Sequence, residues 1–274
     1  MPNFVIWSDL HIEFADFELP APEAFPCPID GVLIAGDIHT GRNLSHLYFA
    51  QKVCRTYGVP VVIVNGNHEY YGCEMNDLNS RQAEEVRRMN AGAASTGKAC
   101  IHILSGEGVI IGGVRIIGAT LWTDFDLDPA AGLRSRQFAA AGMNDFRLIG
   151  LDQGRGPARL SPDDTVQLHR TQIASILDQL SRSHPGPTIV MTHHMPIRQS
   201  IHRMYHLNPL NAAFASDLLE EIENLDFDAW IFGHSHQNTE FEYEIKGRTR
   251  RFLSNPRGYP QEATCFDPLR VLCV

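Results

Sequence analysis

Phe4-Val5-Ile6-Trp7-Ser8-Asp9-Leu10-His11 runs four apolar residues straight into a carboxylate and an imidazole two positions apart. A short unbroken apolar run bounded by polar residues reads as a strand buried on both faces. Phe4–Trp7 is therefore predicted as a strand, with Asp9 and His11 on the turn beyond its end. The same arrangement recurs four times. Val32–Ala35 leads into Gly36-Asp37, Val61–Val64 into Asn65-Gly66-Asn67-His68-Glu69, Thr188–Thr192 into His193, and Ala229–Phe232 into Gly233-His234-Ser235-His236. In open α/β sheets, ligands bind in the crevice outside the carboxyl ends of the strands. A lone Asp-x-His or Gly-Asp after a strand is usually an ordinary turn. Five strand ends that all carry Asp, His or Asn read as one built site.

Between these strands the spacing predicts helices over Leu44–Tyr57, with Ser45 as a candidate cap, and over Met75–Asn90. Ile101–Leu104, Val109–Ile111 and Val114–Ile117 read as a meander of hairpins turning at glycines such as Gly112-Gly113. Residues 120–160 read as irregular and polar. Asp163–Leu180 keeps helical apolar spacing, with Ser161 placed to cap it and Pro162 at its first position. Phe214–Ile222 is predicted as a helix, and residues 240–274 as more antiparallel strand. Strand–helix alternation followed by hairpins predicts two packed sheets flanked by helices.

The chain has 274 residues, 43% of them hydrophobic and 20% charged, an ordinary globular composition that fits one large domain or two small ones. A formal net charge of -9 argues against gripping long nucleic acid, which needs a basic face. It leaves room for a nucleotide-sized substrate, because bound divalent cations supply local positive charge. Cysteines at 27, 54, 73, 100, 265 and 273 form no CxxC pair. With no secretory signature they read as reduced thiols of a cytoplasmic protein. No apolar run is long enough to span a membrane. A homo-oligomer is compatible with the sequence, though no stripe demands one.

Asp9, His11, Asp37, Asn67, His193, His234 and His236 offer carboxylate, imidazole and amide oxygen donors, which suit first-row divalent metals. A single catalytic zinc takes three protein ligands. Seven candidates are too many for one ion and about right for two. Two metals about 3.5–4 Å apart can activate a water and clamp both oxygens of an in-line displacement at phosphorus.

In this order, Asp9-x-His11, Gly36-Asp37, Gly66-Asn67-His68-Glu69, His193 and Gly233-His234-Ser235-His236 resemble the calcineurin-like metallophosphoesterases. The resemblance implies a single domain over 1–274 with a four-layer α/β/β/α sandwich. It implies two divalent ions, drawn from Mn, Fe, Zn, Co and Ni with Mn or Fe favoured. Asp9, His11 and His236 would hold one metal, and Asn67, His193 and His234 the other. Asp37 would bridge them together with a hydroxide, and His68 would be the general acid or phosphate donor. One position departs from the pattern. Many members carry Asp or Arg three residues after the bridging Asp, the Asp orienting the catalytic His, and here Thr40 stands there. Either another group orients His68 or it acts without a carboxylate partner.

The implied activity is hydrolysis of a small phosphodiester, a cyclic nucleotide being one candidate. A phosphomonoesterase or protein phosphatase with the same site is the alternative, followed by a nuclease and an inactive scaffold. Candidate substrate contacts are Asn67 and His68, His194 beside a ligand, and Arg257 on the rigid turn Asn255-Pro256-Arg257-Gly258, where a guanidinium could bind phosphate bidentately.

Overall fold

A computed structural model describes residues 1–93, 101–128, 131–152, 154, 156–206 and 208–274, so Cys100 lies outside the described residues. The first half of the chain gives β1 (Asn3–Trp7), β2 (Gly31–Ile34), α1 (Ser45–Tyr57), β3 (Val61–Val64), α2 (Met75–Ala93), β4 (Ile101–Leu104), β5 (Gly108–Ile111) and β6 (Val114–Ala119). There follow α3 (Gly132–Gly142), α4 (Asp145–Leu148), β7 (Gly150–Asp152), β8 (Pro157–Arg159), α5 (Pro162–Ser181) and β9 (Thr188–Thr192). The last part holds α6 (Leu219–Ile222), β10 (Ala229–Ile231), β11 (Thr239–Ile245), β12 (Arg248–Ser254) and β13 (Val271–Cys273).

One sheet has the order β13-β1-β2-β3-β4 and the other β11-β12-β10-β9-β6-β5, while β7 and β8 form a separate ribbon. In the first, β1 to β4 are parallel and β13 pairs antiparallel with β1. In the second, β12, β10, β9 and β6 are parallel and the outer strands β11 and β5 run antiparallel.

Successive strand residues point to opposite faces, and the apolar runs use both. Phe4, Ile6, Leu33, Val62 and Val64 pack between the sheets against Ile116, Ile189, Met191, Ile231 and Leu253. Their neighbours Val5, Trp7, Val32, Ile34, Val61 and Ile63 face the other way, onto Leu47, Ala50 and Val53 of α1 and Met89 of α2. On the far side Ile117, Val190, Trp230 and Phe252 pack on Val166, Ile176 and Leu180 of α5 and on Ile222 of α6. Helix, sheet, sheet and helix thus make the four-layer sandwich expected. Full burial of each large apolar side chain contributes about 1.5–3 kcal/mol.

Helix α5 begins as expected. The Ser161 hydroxyl accepts from the Asp164 amide, and the Asp164 carboxylate accepts from the Ser161 amide. Ser45 does not cap α1: Leu44, left-handed at φ 56°, occupies that position without a side-chain hydrogen bond. Residues 101–119 are not one meander. β4 pairs with β3, and the chain then crosses to the other sheet, where only β5 and β6 form a hairpin. Gly112 and Gly113 at its tip have φ 59° and 85°, the left-handed pair such a turn requires. Residues 120–160 hold α3, α4 and the ribbon. In α3 the buried positions are Gly132, Ser135 and Ala139, so no large apolar stripe betrays it. Helix over Phe214–Ile222 shrinks to α6, because Ala215 bridges Met195 and holds that stretch extended.

Candidate metal centre

The parallel strands β1, β2 and β3 of one sheet, and β9 and β10 of the other, deliver their carboxyl ends to one place. Asp9, His11, Asp37, Asn67, His68, His193 and His234 are all buried there, and His236 is half-buried. Backbone bonds stitch the loops together: Asp9 to the Gly36 carbonyl, His11 to the Asp37 carbonyl, and Gly233 to the His193 carbonyl. Asp9, His11, Asp37, His234 and His236 take left-handed φ values of 50°, 45°, 55°, 66° and 48°. Asp and His enter that region more readily than most residues, at about 1 kcal/mol or more each. Gly66 passes so near the centre that a Cβ there would lie 2.1 Å from Asp37 Oδ1.

The donors converge in three overlapping triads: Asp9, His11 and His236; His11, Asp37 and His68; and Asp37, His193 and His234. His11 Nε2 lies 3.1 Å from His236 Nε2, and His236 Nε2 lies 3.4 Å from Asp9 Oδ1. His193 Nε2 lies 3.0 Å from Asn67 Oδ1 and 3.2 Å from His234 Nδ1. Asp37 Oδ2 stands between them, 3.8 Å from His11 Nε2 and 3.4 Å from His193 Nε2.

The outer ring nitrogens decide what the inner ones offer. Nδ1 of His11 faces Glu13, Nδ1 of His236 faces Glu262 at 2.5 Å, and Nδ1 of His193 faces the Ala35 carbonyl at 2.8 Å. Each acceptor places the proton on Nδ1 and turns the Nε2 lone pair inward. Lone pairs set 3.1 Å apart between carboxylates repel unless a cation or proton lies among them. Without metal, protons serve. Although burial disfavours charge, Asp37 drives His193 up to about 10 and Asp9 drives His236 up to about 9. Burial would raise the Asp37 carboxyl, but His193 and His68 hold it well below the usual range. A donor set with this charge and these tautomers fits divalent cations.

Asp145, Glu13, Tyr259 and Glu262, not singled out in the sequence, complete the centre together with residues that were. The Asn67 amide donates to Asp145 at 2.9 Å and to the Tyr71 hydroxyl at 3.0 Å, which turns its oxygen toward His193. Tyr71 in turn donates to Asp145 at 2.6 Å. The Glu69 carboxylate accepts from the backbone amides of Asp37, Ile38 and Gly66 at 3.0, 2.7 and 2.7 Å, clasping two ligand loops. His68 meets Glu13 on Nδ1 at 2.8 Å and the Tyr259 hydroxyl on Nε2 at 3.1 Å. Glu13 repeats the two-residue spacing of Asp9 and His11, a signal available in the sequence. Asp145, Tyr259 and Glu262 have no such local signal.

Arg257 and His194 take places behind the other predicted residues. The Arg257 guanidinium donates to the carbonyls of Leu10, Ala15 and Asp16 and lies over the Phe17 ring. It fastens the loop that carries His11 and Glu13, and three of its N–H groups are engaged there. His194 is buried against Trp122 and His234 with Nδ1 on the Thr120 carbonyl; burial and His193 press it down to about 3. Neither lines the cavity over the centre.

That cavity, of about 380 Å³, is floored by Asp37, Asn67, His68, His234 and His236. Met195, Ile201, Leu210 and Phe214 form an apolar wall; Tyr71, Tyr205 and Tyr259 add rings, and Asp145 and Glu262 add carboxylates. Among the described residues its lining includes no lysine and no arginine.

Two mixed sheets whose parallel strand ends converge on paired acid–imidazole clusters define a class, the metal-dependent phosphoester hydrolases. The chain belongs to the calcineurin-like phosphoesterase family, whose sequence profile matches residues 2–238, a span that holds every candidate ligand. It is similar to an uncharacterized protein of Acanthamoeba polyphaga mimivirus, at 27% identity over 282 residues covering 95% of this chain and 92% of that one. Among solved structures, a phosphopantetheinyl hydrolase from Mycobacterium tuberculosis shares the fold, with a TM-score of 0.68 and 17% identity over 96% of this chain and 94% of that one. Among the described residues no helix is long and apolar enough to cross a membrane.

Proposed function

We propose that this chain, as one domain, is a two-metal phosphodiesterase acting on a small ester in the cytoplasm, a cyclic nucleotide being the leading candidate. One observation carries the preference for a diester. The cavity above the ligand cluster has no lysine or arginine among its described lining residues, while Asp145 and Glu262 stand in its wall. A phosphomonoester brings two negative charges and would meet carboxylates wherever it left the cluster. A diester brings one charge, and its second substituent would lie against the apolar wall of Met195, Leu210 and Phe214. A volume of about 380 Å³ suits a nucleotide-sized ligand.

In this reading Asp9, His11 and His236 hold one cation, Asn67, His193 and His234 the other, and Asp37 serves both. When bound, the two ions supply a nucleophilic water at neutral pH and neutralise the phosphoryl oxygens. The chain does the rest. Asp145 and Tyr71 fix the Asn67 amide so that its oxygen stays turned inward. His68 sits at the cavity floor, with Nε2 placed to hold a proton for the departing oxygen. The apolar wall excludes bulk water from one side.

The test is hydrolysis of bis(p-nitrophenyl) phosphate and of p-nitrophenyl phosphate by metal-stripped protein, with Mn²⁺ added back. Restored activity that is higher on the diester is expected. A preference for the monoester would move the assignment to a phosphatase. No turnover of either by metal-loaded protein would count against hydrolysis of simple esters.

A further inference from the structure

His68 needs a partner to act as an acid, and the position that supplies Asp in many relatives holds Thr40. Thr40 is turned elsewhere, its hydroxyl and carbonyl both engaging the neighbouring His39 ring. Glu13 reaches the same goal from another loop. Its Oε1 lies 2.8 Å from His68 Nδ1, and its side chain is only 10% exposed. The opposite nitrogen, Nε2, faces the Tyr259 hydroxyl at 3.1 Å on the cavity side. The Tyr71 ring lies against the imidazole, with centroids 4.3 Å apart. The ring is therefore held on three sides, with one nitrogen committed to a carboxylate and the other against the Tyr259 hydroxyl on the cavity side.

We propose that Glu13 is the positioning residue that holds His68 with its Nε2 aimed at the leaving oxygen, taking over the work of the Asp that Thr40 replaces. The proposal rests on the phosphoesterase reading above. Protonated His68 gives its Nε2 proton to the leaving oxygen as the P–O bond breaks, and Nδ1–H stays hydrogen-bonded to Glu13. The same Glu13 oxygen lies 3.3 Å from Nδ1 of His11. It thereby links a candidate metal ligand to the proton donor. A contact that only supported His11 would show as lost metal; one that orients His68 shows in the dependence on the leaving group.

The experiment compares wild type with Glu13→Gln, Glu13→Asp, His68→Ala and the Glu13→Gln/His68→Ala double variant, each loaded with Mn²⁺ and analysed for metal. Rates are measured on bis(p-nitrophenyl) phosphate, whose leaving group needs no proton, and on diphenyl phosphate, whose leaving group is more basic. General acids contribute about 10²–10⁴-fold, so Glu13→Gln is expected to lower kcat on diphenyl phosphate by ~10–100-fold and on the p-nitrophenyl diester by less than ~3-fold. Wild-type metal content, partial rescue by Glu13→Asp, and a double variant no slower than His68→Ala complete the expected result. Equal losses on both diesters, additive losses in the double variant, or metal loss in Glu13→Gln would overturn it.

Nitrogen-15 NMR of the metal-free protein reads the contact without turnover. The neutral His68 ring is expected as the Nδ1–H tautomer in wild type and as a mixture in Glu13→Gln. An Nε2–H ring in wild type would overturn the proposal. Should wild type cleave neither diester, the phosphoesterase reading fails while the tautomer still decides the contact.

Discussion

Glu69→Ala strikes at the clasp between two ligand loops. The carboxylate is buried, 1% exposed, and accepts from the buried amides of Asp37, Ile38 and Gly66 at 3.0, 2.7 and 2.7 Å, with the half-buried His39 amide at a longer 3.4 Å. Removing it strands three buried N–H groups, each worth about 1–3 kcal/mol when left unsatisfied. A water entering the vacated space would serve one of them, which leaves a loss of about 2–6 kcal/mol. Domains are stable by about 5–15 kcal/mol, so the variant folds marginally. The assay is urea unfolding of metal-free wild type and variant at pH 8. Burial and the Asp37 carboxylate raise Glu69 to about 7, and at pH 8 it is ionised. With a slope of about 3 kcal/mol per M, the midpoint should fall by about 0.7–2 M. Glu69→Gln, which keeps one oxygen and turns the other toward the amides as a donor, should lie between. A shift for Glu69→Ala below about 0.3 M, or about 1 kcal/mol at that slope, would refute the clasp.

Two further predictions concern groups behind the centre. Asp145→Ala frees the Asn67 amide to rotate and should weaken metal binding by ~10–100-fold in a chelator competition with the fold retained; unchanged affinity would remove Asp145 from the site. His46 is fully buried beside Gln82, and burial presses it from its ordinary 6.5 down to about 4. A depressed value means that the stability is complete above 6.5 and is lost as pH falls through about 4. At about 1.4 kcal/mol for each tenfold change in proton affinity, that step is worth about 3 kcal/mol. His46→Gln should therefore lose less stability than wild type between pH 7.5 and 4.5 in urea melts. Parallel losses would show that His46 is not neutral in the fold.

The strands and their terminal donors were legible because both signals are local. Five residues of β1 announce a doubly buried strand, and Asp9 and His11 follow within four positions. The two-sheet division was not local. Leu104 and Ile111 are equally apolar and face the same core, yet they belong to different sheets. Helix α3 escaped because its buried positions are small. The carboxylates that orient the centre also escaped, since Asp145 reaches Asn67 across 78 positions. Arg257 was legible as a turn residue. Its task was not, because only the fold brings the carbonyls of residues 10–16 beneath it.

The left-handed turns at Asp9, His11, Asp37, His234 and His236 bear on how metal and fold depend on each other. In small zinc modules the ion organises an otherwise unfolded chain. Here the backbone adopts five disfavoured turns, and the amides of Asp9, His11, Asp37 and His234 are each held by a protein acceptor. The two sheets, each buried on both faces, hold those turns in place. The donors therefore stand assembled before any cation arrives, and the entropy of gathering them is met during folding. Chelation should empty such a centre and leave the sandwich standing, with the metals as guests of a finished architecture.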